Sequence, residues 1–255
     1  MGVLETFSLA GCIAMVTGGG RGIGRSLAGA LAEAGADVAI VDVDSETAGS
    51  AADEIGRMGV RSLGIEADVT RSTQVQATVD TVVSNWGHLD IAVNNAGIAR
   101  TGQAESLEEA DWDAVLDVNL KSVFLCCRAE AQVMLGQGSG SIINIASMSA
   151  RIVNRPQQHA HYNSSKAAVV QLTRTCAAEW AARGVRVNSI SPGHMLTPMT
   201  DAMSDEAKPT WISNTPMGRA GIPDDLQGAV VFLASAASQY VTGHDLVVDG
   251  GYTIW

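Results

Sequence analysis

Tyr162 and Lys166 stand four residues apart in a stretch, Tyr162–Ala182, whose pattern predicts a helix, so their side chains share one face. That pairing has a chemical use. An ordinary tyrosine ionises at a pH of about 10 and is a poor base at neutrality. A lysine ammonium beside it stabilises the phenolate and brings its pKa toward working pH. Ser147 closes the predicted strand that begins at Ser141, at the end where ligands collect in open parallel sheets. Its hydroxyl can hold an oxygen of a reacting group beside Tyr162. Each residue alone has an ordinary structural explanation; together they describe a site for moving a proton.

A second group of residues could hold a phosphate. Thr17-Gly18-Gly19-Gly20-Arg21-Gly22-Ile23-Gly24 follows the first predicted strand and opens the first predicted helix. Glycines at 18, 22 and 24 permit a tight turn and close approach of a pyrophosphate to backbone N–H groups, where the helix N-terminus adds positive potential. The spacing is GxxxGxG rather than GxGxxG. Asp42 ends the second predicted strand, where a carboxylate can accept hydrogen bonds from ribose hydroxyls and repel a 2′-phosphate. This favours NAD over NADP as cofactor. Arg21 inside the turn is a signal in the opposite direction, and Asp44 is a second, weaker acidic candidate.

Elements must exist to position these residues. Short runs rich in valine and isoleucine read as strands: Cys12–Val16, Val38–Val43, Ile91–Val93, Ser141–Ile145, Val185–Ile190 and Leu246–Val248, with Arg61–Glu66 weaker. Between them lie helical patterns at Gly24–Ala34, Ser45–Met58, Ser72–Trp86, Leu107–Leu135, Tyr162–Ala182 and Asp224–Ala234. The alternation predicts an α/β fold: a single Rossmann-type domain over residues 1–255, its doubly wound parallel sheet carrying helices on both faces. Residues 192–222, interrupted by prolines, break the rhythm and read as a lid over the site.

Composition narrows the classes. The chain has 255 residues, 46% of them hydrophobic and 17% charged, enough to bury a large core and too few charges for intrinsic disorder. A net charge of −11 disfavours nucleic acid and anionic membranes as partners. No apolar run approaches the roughly 20 residues of a membrane span, and the first residues lack the pattern of a secretory signal, so a cytoplasmic protein is expected. Cys12, Cys126, Cys127 and Cys176 form no CxxC and read as buried hydrophobes. His159 and His161, the only close histidine pair, would face different ways on a helix, so no metal site is expected.

Thr17–Gly24, Asn94-Asn95-Ala96-Gly97, Ser147, Tyr162-Asn163-Ser164-Ser165-Lys166 and Pro192-Gly193 fall in the order and spacing of the short-chain dehydrogenase/reductase family, which the chain resembles from about Ala10 onward. The resemblance implies alcohol–carbonyl interconversion with a nicotinamide dinucleotide, without metal, usually in a homotetramer. It implies that Asn119 holds a water linking Lys166 to solvent. Asp68-Val69 would meet the adenine, and Asn95, Ala96 and Gly97 the adenosine half. Pro192, Gly193 and Thr197 would wall the nicotinamide. A narrower resemblance, through Ser147-Met148-Ser149, Ile152–Gln157 and the terminal Asp249–Trp255, is to bacterial polyol and secondary-alcohol dehydrogenases. Ser149, Asn154 and Gln157 then offer neutral hydrogen-bonding groups to a polyhydroxylated substrate as it leaves water. A 3-oxoacyl-thioester reductase on the same fold is the alternative, disfavoured by Asp42 and the acidic charge. A non-catalytic nucleotide sensor is disfavoured because Tyr162 and Lys166 are both present. Helices apolar around much of their circumference, Leu107–Leu135 and Tyr162–Ala182, are expected to face a partner copy, with Trp255 near a subunit boundary.

Overall fold

The computed structural model describes residues 2–155, 157–201 and 207–255, and of Met199, Asp201 and Ala207 the backbone alone. Seven strands, β1 (Ile13–Thr17), β2 (Asp37–Asp42), β3 (Ser62–Glu66), β4 (Ile91–Asn94), β5 (Gly140–Ile145), β6 (Val185–Pro192) and β7 (Asp245–Val248), form one parallel sheet. Its order is β3-β2-β1-β4-β5-β6-β7. The chain runs outward from β1 to β3, then crosses back to β4 on the other side of β1. Thr17 is therefore paired with Asn94 at the carboxyl edge where the winding reverses, the place such sheets bind ligands.

The strands read as continuous apolar runs because both faces are covered. In β1, Ala14 and Val16 point into one core with Leu27, Leu31, Ala48, Val230 and Leu233. Ile13 and Met15 point into the other, with Val75, Val79, Cys126 and Val169. The first layer comprises α1 (Gly22–Glu33), α2 (Ser45–Gly56) and α9 (Gln227–Ala234); the second contains α3 (Ser72–Trp86), α5 (Ser122–Gln137) and α6 (Ala160–Trp180). Edge strand β3 is half open to solvent, which explains its weak sequence signal. Asp44 caps α2 by accepting from the backbone N–H groups of Glu46 and Thr47 at 3.0 and 3.1 Å, so its carboxylate is committed to the helix. None of the helices searched among the described residues is long and apolar enough to cross a membrane.

The helix expected over Leu107–Leu135 is not continuous. It consists of α4 (Glu109–Leu116), a π-turn at Asp117–Lys121, and α5. The cause is Asn119, whose amide is drawn into the interior. Its Oδ1 accepts from the Ile98 N–H at 2.8 Å, and its Nδ2 donates to the Ile98 carbonyl at 2.9 Å. An inserted residue of this kind inside a helix recurs at functional sites. The predicted helix over Asp224–Ala234 begins one residue earlier, as a 3₁₀ turn at Pro223–Leu226 that runs into α9.

Between the β4–β5 pair and α5 lies a buried polar group of side chains. Asn94 Nδ2 donates to Asn144 Oδ1 at 3.1 Å and to Glu130 Oε2 at 3.0 Å, and Asn144 Nδ2 donates to Thr173 Oγ1 at 2.9 Å. Glu130 is fully buried, and loss of hydration pushes its carboxyl up to about 8, with the Asn94 hydrogen bond opposing. Its folded-state pKa thus exceeds its unfolded value of 4.5. The associated stability is present in full below pH 4.5 and is lost as pH rises through about 8. Glu130→Gln keeps the acceptor and removes the titration. We expect wild-type Tm to fall between pH 5 and 9 and the variant to flatten that fall by the equivalent of a few kcal/mol. Parallel Tm-against-pH curves would show that Glu130 ionises normally.

Candidate active site

The carboxyl ends of β1, β2, β4, β5 and β6 meet at one edge. The backbone after β1 turns through Gly18 and Gly22, both in the left-handed region at φ +59° and +56°. Gly24 is required by packing: a Cβ there would lie 2.1 Å from the Gly18 carbonyl oxygen. Ile23 packs against the first core, and Arg21 is exposed. Asp42 Oδ2 accepts the Gly20 N–H at 3.0 Å, which ties the end of β2 to the turn.

Asn95 fastens the end of β4 to the same turn. Its Nδ2 donates to the carbonyls of Thr17 at 3.1 Å and Gly18 at 2.9 Å, while the Asn95 and Ala96 N–H groups donate to Thr17 Oγ1. Gly97 lies below Lys166, where an added Cβ would be 3.3 Å from Asn119 Oδ1 and 3.7 Å from Lys166 Nζ. Asp68 follows β3 at this edge; its carboxylate accepts from the Thr70 N–H and hydroxyl, which hold its pKa low. Val69 is half-buried against the second core. Beyond β6, Gly193 lets β7 approach, since a Cβ there would be 2.7 Å from Asp249 Cα. Pro192 is paired with Val248. Thr197 lies across from the glycine turn, 4.0 Å from where a Gly22 Cβ would stand.

Tyr162 and Lys166, the pair expected from the sequence to move a proton, sit on α6. Lys166 is buried, donates from Nζ to the Ile145 carbonyl at 2.8 Å, and stands 5.8 Å above the Tyr162 ring centre. Loss of hydration lowers its ammonium from 10.5 to about 8. Burial raises the Tyr162 phenol above 10.0, opposed by a hydrogen bond with Ser147. Ser147 Oγ donates to Ser149 Oγ at 3.0 Å and accepts the Ser149 N–H at 3.1 Å, and Ser149 Oγ donates to Asn154 Oδ1 at 2.9 Å. Asn119 Nδ2 also reaches Ser165 Oγ at 3.3 Å, which joins the π-turn to α6.

Of the residues expected to meet a polyol, Ser149 and Asn154 form a relay behind Ser147. Gln157 supports the cover instead. Only one orientation of its amide satisfies both ends: the oxygen accepts from Trp211 Nε1 at 2.6 Å and the nitrogen donates to the Arg155 carbonyl at 3.2 Å. Pro156 of the same segment lies outside the described residues. Trp211 belongs to α8 (Ala207–Asn214), which follows the short α7 (Pro198–Asp201). Sequence reading missed the aromatic wall: His194 stacks on Trp211 at 4.2 Å, Tyr252 meets His194 edge-on at 5.0 Å, and His159 lies 5.6 Å from Tyr162. These residues come from four distant segments. The available signals were the position of His159 three residues before Tyr162 and of His194 directly after Pro192-Gly193.

A family model described as enoyl-(acyl carrier protein) reductase matches residues 18–253. The galactitol 2-dehydrogenase (L-tagatose-forming) of Cereibacter sphaeroides is 44% identical over 252 residues, 98% of each chain. A 3-oxoacyl-[acyl-carrier-protein] reductase of Staphylococcus aureus is 44% identical over 239 residues, 93% of this chain and 96% of that one. The crystal structure of a gluconate 5-dehydrogenase from Burkholderia cenocepacia, in complex with NADP and tartrate, is 39% identical, covers all of both chains and superposes with a TM-score of 0.95. The chain belongs to the short-chain dehydrogenase/reductase family. It is an oxidoreductase that interconverts a secondary hydroxyl and a ketone.

Asn95 carries the join between the two turns. Asn95→Ala leaves the Thr17 and Gly18 carbonyls without those donors, at a cost of about 1–3 kcal/mol. We expect Tm to fall by several degrees and the Kd for the dinucleotide, measured by calorimetry, to rise. An unchanged Tm and Kd would remove Asn95 from this role.

Proposed function

We propose that the chain is an NAD-dependent polyol dehydrogenase, oxidising one secondary hydroxyl of a polyhydroxylated substrate to a ketone. The observation that carries this reading is the chemistry around Tyr162: the side chains beside it and Ser147 are hydroxyls, an amide and the His159 imidazole. An acyl chain gives such groups no partner. A thioester reductase acting on an acidic carrier would also gain from a basic surface, and this chain carries −11.

The nucleotide fits the glycine turn, where Gly18, Gly22 and Gly24 leave the backbone open and the start of α1 supplies N–H groups. When bound, its nicotinamide supplies the hydride chemistry. Gly18, Arg21, Gly22, Ile23 and Gly24 would hold the phosphates. Asp42 would take the ribose hydroxyls, with Asp68, Val69, Asn95, Ala96 and Gly97 beside the adenosine. Pro192, Gly193 and Thr197, with Tyr162 and Lys166, would surround the nicotinamide end. Tyr162 accepts the carbinol proton, Ser147 holds the carbinol oxygen, and Lys166 stabilises the phenolate. Asn119 supports the path from Lys166 to solvent. Residues 192–222 act as the lid; 202–206 within them lie outside the described residues. Copies associate as a homotetramer through α5 and α6, where Phe124 is exposed on the outer face.

The preference for NAD rests on Asp42, whose carboxylate lies against Gly20 and would repel a 2′-phosphate there. The NADP in the Burkholderia structure makes the test necessary. We expect a higher kcat/KM with NAD than with NADP on galactitol, and Asp42→Ala to narrow the gap. A higher kcat/KM with NADP would overturn the cofactor assignment, and turnover of a 3-oxoacyl thioester without any of polyols would overturn the substrate class.

A further inference from the structure

The aromatic wall contains polar atoms that the acid–base chemistry does not use. His159 is 8% exposed and ends the approach to α6, where Gly102 is bridged to it. Its ring faces Tyr162 at 5.6 Å, and neither of its nitrogens has a protein partner. His194 directly follows Pro192-Gly193 and is fixed more tightly. Its carbonyl accepts the Gly221 N–H at 2.9 Å, its ring lies flat on Trp211 at an interplanar angle of 7°, and Tyr252 closes one edge. Its buried Nε2 has no partner either. The two rings lie within electrostatic reach of each other.

Resting on the dehydrogenase reading above, we propose that His159 and His194 form an imidazole pair that receives the hydroxyls flanking the reacting carbon, and so selects polyhydroxylated over singly hydroxylated alcohols. The great majority of buried polar atoms in native proteins have partners, and a ligand can supply one that the protein does not. A neutral imidazole offers one donor and one acceptor, as a hydroxyl does. Burial keeps both rings neutral, lowering His159 and taking His194 down to about 4, with His161 adding to the first effect and His159 to the second. An anionic partner would instead favour protonation, against that desolvation. His161 also lacks protein partners; it is an electrostatic neighbour of His159 and has Asp111 and Arg100 near it. A site built to bond a hydroxyl discriminates strongly against an analogue without it, because its own buried groups are then left unpaired.

Two measurements on the cofactor-bound protein test this. The first is the ratio of kcat/KM for galactitol to that for 2-hexanol, in wild type, His159→Leu, His159→Gln and His194→Phe. The phenylalanine keeps the stack on Trp211 and removes the nitrogens; the glutamine keeps a donor and an acceptor. We expect the ratio to fall about ten-fold or more in His159→Leu and His194→Phe, mainly through KM, and to recover in part in His159→Gln. A ratio that stays at the wild-type value, whether both substrates are lost together or neither is, overturns the pair. The second measurement is the ¹⁵N shift of the histidine rings as galactitol is added to the NADH complex. His159 and His194 should move, and a titration that moves neither of them overturns the inference. Wild-type protein that oxidises no polyol contradicts the proposed function alone, and the ring shifts then still decide the role of the imidazoles.

Discussion

The site depends on an ammonium group held away from water. Lys166 reaches the Ile145 carbonyl beneath Tyr162, and burial has already brought it to about 8. Much of the neighbourhood exists to permit this. β5 must end with that carbonyl free, since Ala146 already turns toward Ile190. A Cβ on Gly97 would stand tight against Asn119 Oδ1, at 3.3 Å. Asn119 must leave regular helix geometry to reach Ile98 and Ser165, and the π-turn is the structural record of that displacement. A buried charge without such support would lose its proton or unfold its surroundings.

The same edge is tied together from below. Asn95 and Asp42 fasten the ends of β4 and β2 to the glycine turn, so these three segments hold one another in place. Asn94, one residue earlier, belongs to the buried system that includes Glu130 and Asn144. The adjacent asparagines therefore have different duties, Asn94 in the core at the end of β4 and Asn95 at the glycine turn just beyond it. Polar groups at this depth specify register in a way that valine and isoleucine alone do not.

The sheet was legible in the sequence because its strands are covered on both faces and separated by glycine-rich or polar turns. All seven runs became strands, with shifts of one or two residues at most ends. The Tyr162–Lys166 pairing was legible because helical spacing is a local property. What was not legible was set by tertiary contact. The break at Asp117–Lys121 follows from hydrogen bonds between Asn119 and a loop in another part of the chain. The direction of the Tyr162 shift depends on how deeply the phenol is buried, which spacing does not report. Gln157 was expected to meet a substrate, yet its partner is Trp211, and that contact requires the chain between them to fold back. The His159–His194 wall has no sequence pattern because its members meet only through the sheet order.

The account turns on whether Lys166 governs the ionisation of Tyr162. The most direct measurement is an ultraviolet titration of the tyrosine phenolate in the NAD complex, with the Tyr162→Phe protein subtracted to isolate one residue. It is performed on wild type and on Lys166→Met and does not depend on turnover. Wild-type Tyr162 should ionise at clearly lower pH than in the methionine variant, because removal of the ammonium leaves desolvation unopposed by that charge. Coincident titration curves would contradict the account.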